Sequence, residues 1–128
     1  KRIALWGLAF KPETDDIREA PALYMIEKLT AAGATVVAYD PEAMDNVRER
    51  IGDRIEYAEG HLQALDRADA LLICTEWQVF RNPNMADVKE RLNAPAVFDG
   101  RNLYDLDTMR QHGFYYKSIG RSTVHSNA

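Results

Sequence analysis

Asp69-Ala70-Leu71-Leu72-Ile73-Cys74-Thr75 is the stretch that decides the architecture. Its apolar run shows none of the polar alternation of a half-exposed strand, so it predicts a strand buried on both faces. A strand of that kind belongs near the centre of a parallel sheet. Parallel neighbours in turn need helical crossovers between them. The chain supplies strand and helix patterns in alternation on both sides of this run.

Upstream, residues 2–7 read as a first strand, 17–32 as a helix closed by Gly33, and 34–40 as a second strand. Asp16 with Glu19 resembles a capping box, whereas Pro21 prefers a helix's first turn, so two starts compete for that first helix. Asp40 is expected to cap a helix that opens at Pro41 and buries Met44, Val47 and Ile51. Residues 54–58 read as a polar edge strand, and 61–68 as a short helix turning Leu62 and Leu65 inward.

Downstream, Asn82 and Pro83 are expected to open a helix with Met85, Val88 and Leu92 on its buried stripe. A fifth strand at 96–99, a short helix at 106–112 and a sixth strand at 114–119 follow. The domain is thus expected over residues 1–121, and the polar tail 122–128 is expected to be disordered. Right-handed crossovers that must cover both faces favour an α/β, Rossmann-like three-layer sandwich, with a six-stranded parallel sheet in the order 3-2-1-4-5-6.

Ligands of such sheets bind beyond the carboxyl ends of the strands, where the first and fourth strands diverge. The loops to inspect are therefore 10–18, 40–42, 75–80 and 100–102. The net charge of −4 over 128 residues excludes the basic footprint that general nucleic-acid binding needs. Any bound anion must be held by a few placed cations. No apolar stretch approaches the roughly 18 residues of a membrane span. The single cysteine, Cys74, excludes an internal disulfide and suits a reducing compartment.

After the first strand only Gly7 is present of a G-x-G-x-x-G loop, so the close backbone approach to a dinucleotide pyrophosphate is not available there. The loop carries Lys11, stiffened between Phe10 and Pro12, and then Arg18 near a helix start, where backbone N–H groups also favour anions. The fifth strand ends in Asp99-Gly100-Arg101-Asn102, which brings a third cation to the same end of the sheet. Together these cations could hold a diphosphate or a carboxylate. The ordinary alternative is that they pair with Glu13, Asp15, Asp16 and Asp99 as solvated surface charges. In the fourth loop Thr75 is expected to cap a helix while Trp77 and Phe80 pack. Asp40 is expected to cap rather than to grip a ribose. Cys74 is expected to be inert core. His61, His112 and His125 are scattered and expected in solvent, so no metal site is expected.

The run from Gly7 to Pro21 (GLAFKPETDDIREAP), Thr75-Glu76-Trp77 with Phe80, Phe98-Asp99-Gly100-Arg101-Asn102 and Ser118-Ile119-Gly120-Arg121 together resemble the C-terminal domain of UDP-glucose dehydrogenases. That family also holds GDP-mannose and UDP-N-acetylmannosamine dehydrogenases. The resemblance covers residues 2 to about 121, and the Thr75-Glu76-Trp77 and Ser118–Arg121 segments favour the UDP-glucose branch. It implies an enzyme that oxidises C6 of UDP-glucose twice with two NAD, giving UDP-glucuronate. It further implies that Lys11 and Arg101 bind the sugar nucleotide, that the Phe10 backbone lies along it, and that Arg18 approaches the NAD phosphates. The nucleophilic cysteine and most of the NAD site would belong to an N-terminal domain outside this chain. By that reading the chain carries no catalytic residue, binds a UDP-sugar, is inactive alone and is part of a cytoplasmic homo-oligomer. A phosphorylation receiver domain is the competing class. Its lysine would be replaced by Arg101, and its acids do not stand at the end of the first strand.

Overall fold

The computed structural model describes residues 1–18 and 20–125. Its elements are β1 (Arg2–Trp6), α1 (Pro21–Ala31), β2 (Thr35–Tyr39), α2 (Met44–Ile51), β3 (Glu56–Tyr57), β4 (Ala70–Ile73), α3 (Gln78–Arg81), α4 (Met85–Arg91), β5 (Ala96–Asp99), α5 (Leu106–Gln111) and β6 (Tyr115–Ser118). Single 3-10 turns lie at Gly52–Arg54 and Gln63–Leu65. The six strands run in the order β3-β2-β1-β4-β5-β6, and every neighbouring pair is parallel. This is the order expected from the sequence. The central run is β4, paired with β1 on one side and β5 on the other.

Residue parity sorts the core into two layers. Leu5, Val36 and Ala38 point to one face and pack with Ala22 and Ile26 of α1 and Val47 of α2. Ala4, Trp6, Leu71, Ile73, Val97 and Tyr116 point to the other, beneath Leu65, Phe80, Val88, Leu92 and Met109. Each fully buried side chain of Leu71 or Ile73 size contributes about 1.5–3 kcal/mol. On the first face the α1–α2 cover thins beyond β1. There Leu72 is only partly buried and Phe98 is 37% exposed.

Several local expectations change. Pro21 opens α1 with Ala20 as an N-cap that makes no side-chain bond, so the proline wins over the Asp16 start. Residues 41–43 form a turn and α2 begins at Met44, although Asp40 still accepts from the Glu42 and Ala43 amides. Only Gln63–Leu65 is helical within 61–68, because Arg67 adopts a positive φ of 62°. The helix expected from Asn82 begins three residues later, at Met85, and a short helix not expected from the sequence, α3, stands before it. α4 starts after Asn84, whose side chain accepts from the Asp87 amide. His61, expected in solvent, packs edge-on against Trp6; burial and then Arg91 lower its pKa.

The tail is ordered as far as it is described. Val124 is 4% exposed and exchanges two backbone hydrogen bonds with Tyr116 in an antiparallel bridge. Residues 126–128, also expected to be disordered, lie outside the described residues, as does Glu19. Among the described residues no helix is long and apolar enough to cross a membrane.

Candidate functional site

The carboxyl rim is organised by two buried carboxylates. Asp40, fully buried at the end of β2, accepts five hydrogen bonds. The Glu42 and Ala43 amides reach Oδ1, both at 2.8 Å. The Leu8 amide at 2.7 Å, the Ala9 amide at 3.1 Å and the Trp77 indole at 3.3 Å reach Oδ2. One side chain thus shapes the exit of β1, the turn into α2 and the position of Trp77. Its lone pairs are committed inside the protein, so it offers nothing to a ribose. The capping role expected of Asp40 is present, but it is a small part of what the residue does.

Where β1 ends, Gly7 takes a φ of 96°, and a Cβ there would lie 2.5 Å from the Thr75 side chain. Only glycine permits that close crossing. Thr75 is fully buried, and its Oγ1 donates to the Ala9 carbonyl at 3.0 Å. The expected helix cap is therefore a tie between two rim loops. Trp77 and Phe80 pack inward as expected.

Asp99 plays the corresponding part at the end of β5. Oδ1 accepts from the Arg101 amide at 2.8 Å. Oδ2 accepts from the Leu103 amide at 2.7 Å and from the Tyr116 hydroxyl at 2.6 Å. Burial first, then the hydrogen bond to Asp99 and the Asp99 charge, push the Tyr116 phenol upward, and burial followed by the Asp99 charge raises Tyr104. Both remain protonated donors. Arg121 of the Ser118–Arg121 segment donates to the Tyr116 hydroxyl at 2.9 Å and the Tyr104 carbonyl at 2.9 Å. It pins the loop from behind.

The predicted site residues stand on this frame. Phe10 is 50% exposed, and its amide donates to the Asp16 carbonyl at 2.8 Å, closing the loop on itself. Lys11 is exposed and forms no ion pair among the described residues. Arg18 is also exposed and forks onto Asp16 through Nε at 3.0 Å and Nη2 at 2.9 Å. Those hydrogen bonds from Arg18 hold the Asp16 carboxyl down at about 2. Arg101 forks onto Glu76 through Nε at 2.9 Å and Nη2 at 2.8 Å, which lowers the Glu76 pKa. The pairings named from the sequence therefore hold for Arg18 with Asp16, whereas the acid that engages the Arg101 guanidinium is Glu76.

Adjacent strands carry these groups to one end of the sheet. The β1 loop with Lys11 is tied through Ala9 to Thr75, next to Glu76, and Gly100 donates to the Ile73 carbonyl at 3.0 Å beside Arg101. Glu76 was not among the sequence-derived candidates. A salt bridge across 25 positions leaves no periodic trace. Burial pushes the Cys74 thiol up to about 12, which leaves it without thiolate reactivity at neutral pH. Among the described residues no cluster of His, Cys, Asp and Glu could hold a metal ion.

A doubly wound parallel sheet whose first loop lacks the dinucleotide glycines, and whose carboxyl rim carries cations on the loops after β1 and β5, defines a Rossmann-like domain. The model of the UDP-glucose/GDP-mannose dehydrogenase family, UDP binding domain, matches residues 4–106, and the chain belongs to that family. The UDP-glucose 6-dehydrogenase of Rhizobium meliloti is 44% identical over 120 residues, covering 94% of this chain and 27% of the relative. This chain therefore spans about a quarter of that protein. Two solved structures share the fold. The UDP-glucose dehydrogenase of Pyrobaculum islandicum has a TM-score of 0.78 at 28% identity, covering 94% of this chain and 26% of that one. The NDP-N-acetyl-D-galactosaminuronic acid dehydrogenase of Methanosarcina mazei has a TM-score of 0.82 at 27% identity, covering 94% and 25%.

Proposed function

We propose that this chain is the nucleotide-sugar-binding C-terminal domain of a UDP-glucose 6-dehydrogenase. The observation that carries the reading is the placement of two cations, Lys11 and Arg101, on loops tied to the same short segment after β4. A UDP diphosphate has the charge and the oxygen geometry for that pair. A planar guanidinium presents paired N–H donors to phosphate oxygens, and an ammonium adds a point charge. Phe10 lines the same loop, and its backbone runs along the nucleotide. The relative at 44% identity is a UDP-glucose 6-dehydrogenase, which favours UDP-glucose as the sugar nucleotide.

In the whole enzyme the C6 alcohol is oxidised to a carboxylate in two hydride transfers to two NAD, with water supplying the added oxygen. The nucleophilic cysteine and the NAD site belong to an N-terminal domain, and the assembly is a cytoplasmic homo-oligomer. The residues of this chain do not fit a dinucleotide in the usual way: Gly7 is the only glycine in its loop and Asp40 is fully engaged. Arg18, forked onto Asp16 with its side chain 85% exposed, is the contact this domain offers to the phosphates of an NAD held elsewhere. The chain on its own binds and orients the sugar nucleotide without turning it over.

Calorimetric titration of the 128-residue chain with UDP tests this. Saturable heat that is lost in Lys11→Ala and Arg101→Ala supports the site, and equal binding by both variants removes it. Competition among UDP-glucose, GDP-mannose and UDP-N-acetylmannosamine for the same site ranks the substrate. The Methanosarcina relative, which acts on another nucleotide sugar, makes that ranking necessary.

A further inference from the structure

Arg101 uses only part of its guanidinium on Glu76. The Nε–H and one Nη2–H face the carboxylate side-on, at 2.9 and 2.8 Å. A guanidinium has five N–H donors in one plane. Both Nη1 hydrogens and the second on Nη2 are therefore left over, and no acceptor meets Nη1 among the described residues. Those leftover donors form the end-on edge, which is itself a complete two-pronged face for an anion. The Arg101 side chain keeps 37% of its surface exposed while Glu76 keeps 25%. The acid thus sits on the more covered side of the pair.

Glu76 is also well founded. Its neighbour Thr75 is fully buried and tied to Ala9, and its other neighbour Trp77 is buried against Asp40. The backbone of Arg101 is fixed separately, through its amide to Asp99. An acid on such a support, taking one edge of an arginine and leaving the other, orients that arginine.

We infer that Glu76 is a positioning residue. It holds the guanidinium plane of Arg101 so that the free Nη1–Nη2 edge is presented to the ligand diphosphate before the ligand arrives. This deepens the reading of Arg101 as a phosphate anchor and rests on it. The alternative arrangement is a blocking one, in which Glu76 occupies the donors the phosphate needs and must be displaced. The two make opposite predictions. A positioning acid lowers affinity when removed, because the arginine must then be ordered on binding. A blocking acid raises it.

A double-mutant cycle on the 128-residue chain decides, with UDP titrated calorimetrically into wild type, Glu76→Ala, Arg101→Ala and the double variant. The expected result is a loss of about tenfold for Glu76→Ala, the scale of one charge-assisted contact, and no further loss when Arg101 is already alanine. Glu76→Gln, which keeps an acceptor and the side-chain shape, recovers part of the affinity. In the unliganded protein the Arg101 Nε–H proton resonance is sharp in wild type and broadens in Glu76→Ala, which reads orientation directly. Unchanged or tighter UDP binding by Glu76→Ala overturns the inference and leaves the phosphate reading intact. An equal loss in both backgrounds also overturns it, since Glu76 would then act through the fold. Wild type and Arg101→Ala behaving alike toward UDP overturns the phosphate reading, and this inference with it.

Discussion

The loops leaving β1 and β5 are built alike at their base and differently at their tips. Each is drawn around a buried carboxylate that collects backbone amides: Asp40 takes Leu8 and Ala9, and Asp99 takes Arg101 and Leu103. Beyond that point they diverge. Arg101 is fixed twice, by its amide to Asp99 and by its guanidinium to Glu76 on another loop. The β1 loop is tied once more, by the Asn46 side chain donating to the Asp15 carbonyl at 2.9 Å, but among the described residues the Arg18 side chain at its far end is held only by Asp16, two residues away. Its side chain is 85% exposed. A contact between loops orients a side chain relative to the sheet, whereas a contact inside one loop moves with the loop. Arg101 thus suits a ligand bound against this domain. Arg18 suits a partner whose position is set elsewhere.

The largest test of this contrast is at the two aspartates. Asp40→Ala strands five donors, four of them buried, and should cost about 4 kcal/mol or more in urea unfolding, against about 2–3 kcal/mol for Asp99→Ala, whose three donors include one that is buried. Equal losses would erase the difference in how the two bases are built. Next come the arginines. Arg101→Ala should weaken UDP by about ten- to a hundredfold, the range for one charge-assisted contact, while Arg18→Ala leaves UDP affinity unchanged by calorimetry. A comparable loss at Arg18 would place both cations on one ligand.

Titration sharpens the point further. The Asp16 carboxyl sits at about 2, below its ordinary 3.8, because Arg18 hydrogen-bonds the charged form. A depressed acid contributes stability above its unfolded pKa and loses it as pH falls through the folded value. The Asp16–Arg18 contribution is thus complete above pH 3.8 and gone below about 2. Carboxyl carbon resonances should show this midpoint, and Arg18→Ala should return it toward 3.8. The smallest effect is at Cys74. With its thiol pushed up to about 12, a disulfide reagent at pH 7.5 should leave the folded chain unmodified and label it only on unfolding. Cys74 is only partly buried, so rapid labelling of the folded chain would mean that its thiolate forms more readily than its apolar surroundings allow.

The strand order was legible because long apolar runs and turn residues carry it, the 69–75 run above all. Boundaries that depend on single residues were less so. α3 has only four residues, less than two helical turns, and so shows no periodic stripe. The helix at 61–68 shrank to one turn because Arg67 turns the chain the other way. At the rim, cations could be named from the sequence because loop positions follow from topology. Their partners could not. Glu76 with Arg101, Thr75 with Ala9 and Trp77 with Asp40 lie 25, 66 and 37 positions apart and exist only once the sheet is assembled. Asp40 is the instructive case. Its place after β2 allowed either a cap or a ribose contact, and what decides is the count of amides aimed at it.

The return of Val124 onto Tyr116 also bears on how the molecule behaves in concentrated solution. β6 ends the sheet and would otherwise present a row of unpaired peptide groups, the kind of border on which a second sheet can grow. The antiparallel bridge occupies part of that border with the chain's own backbone, while the opposite border, β3, spans only Glu56–Tyr57 and gives a newcomer little to zip onto. A variant cut back to residue 121 would uncover that margin and should self-associate at concentrations where the longer chain stays dispersed.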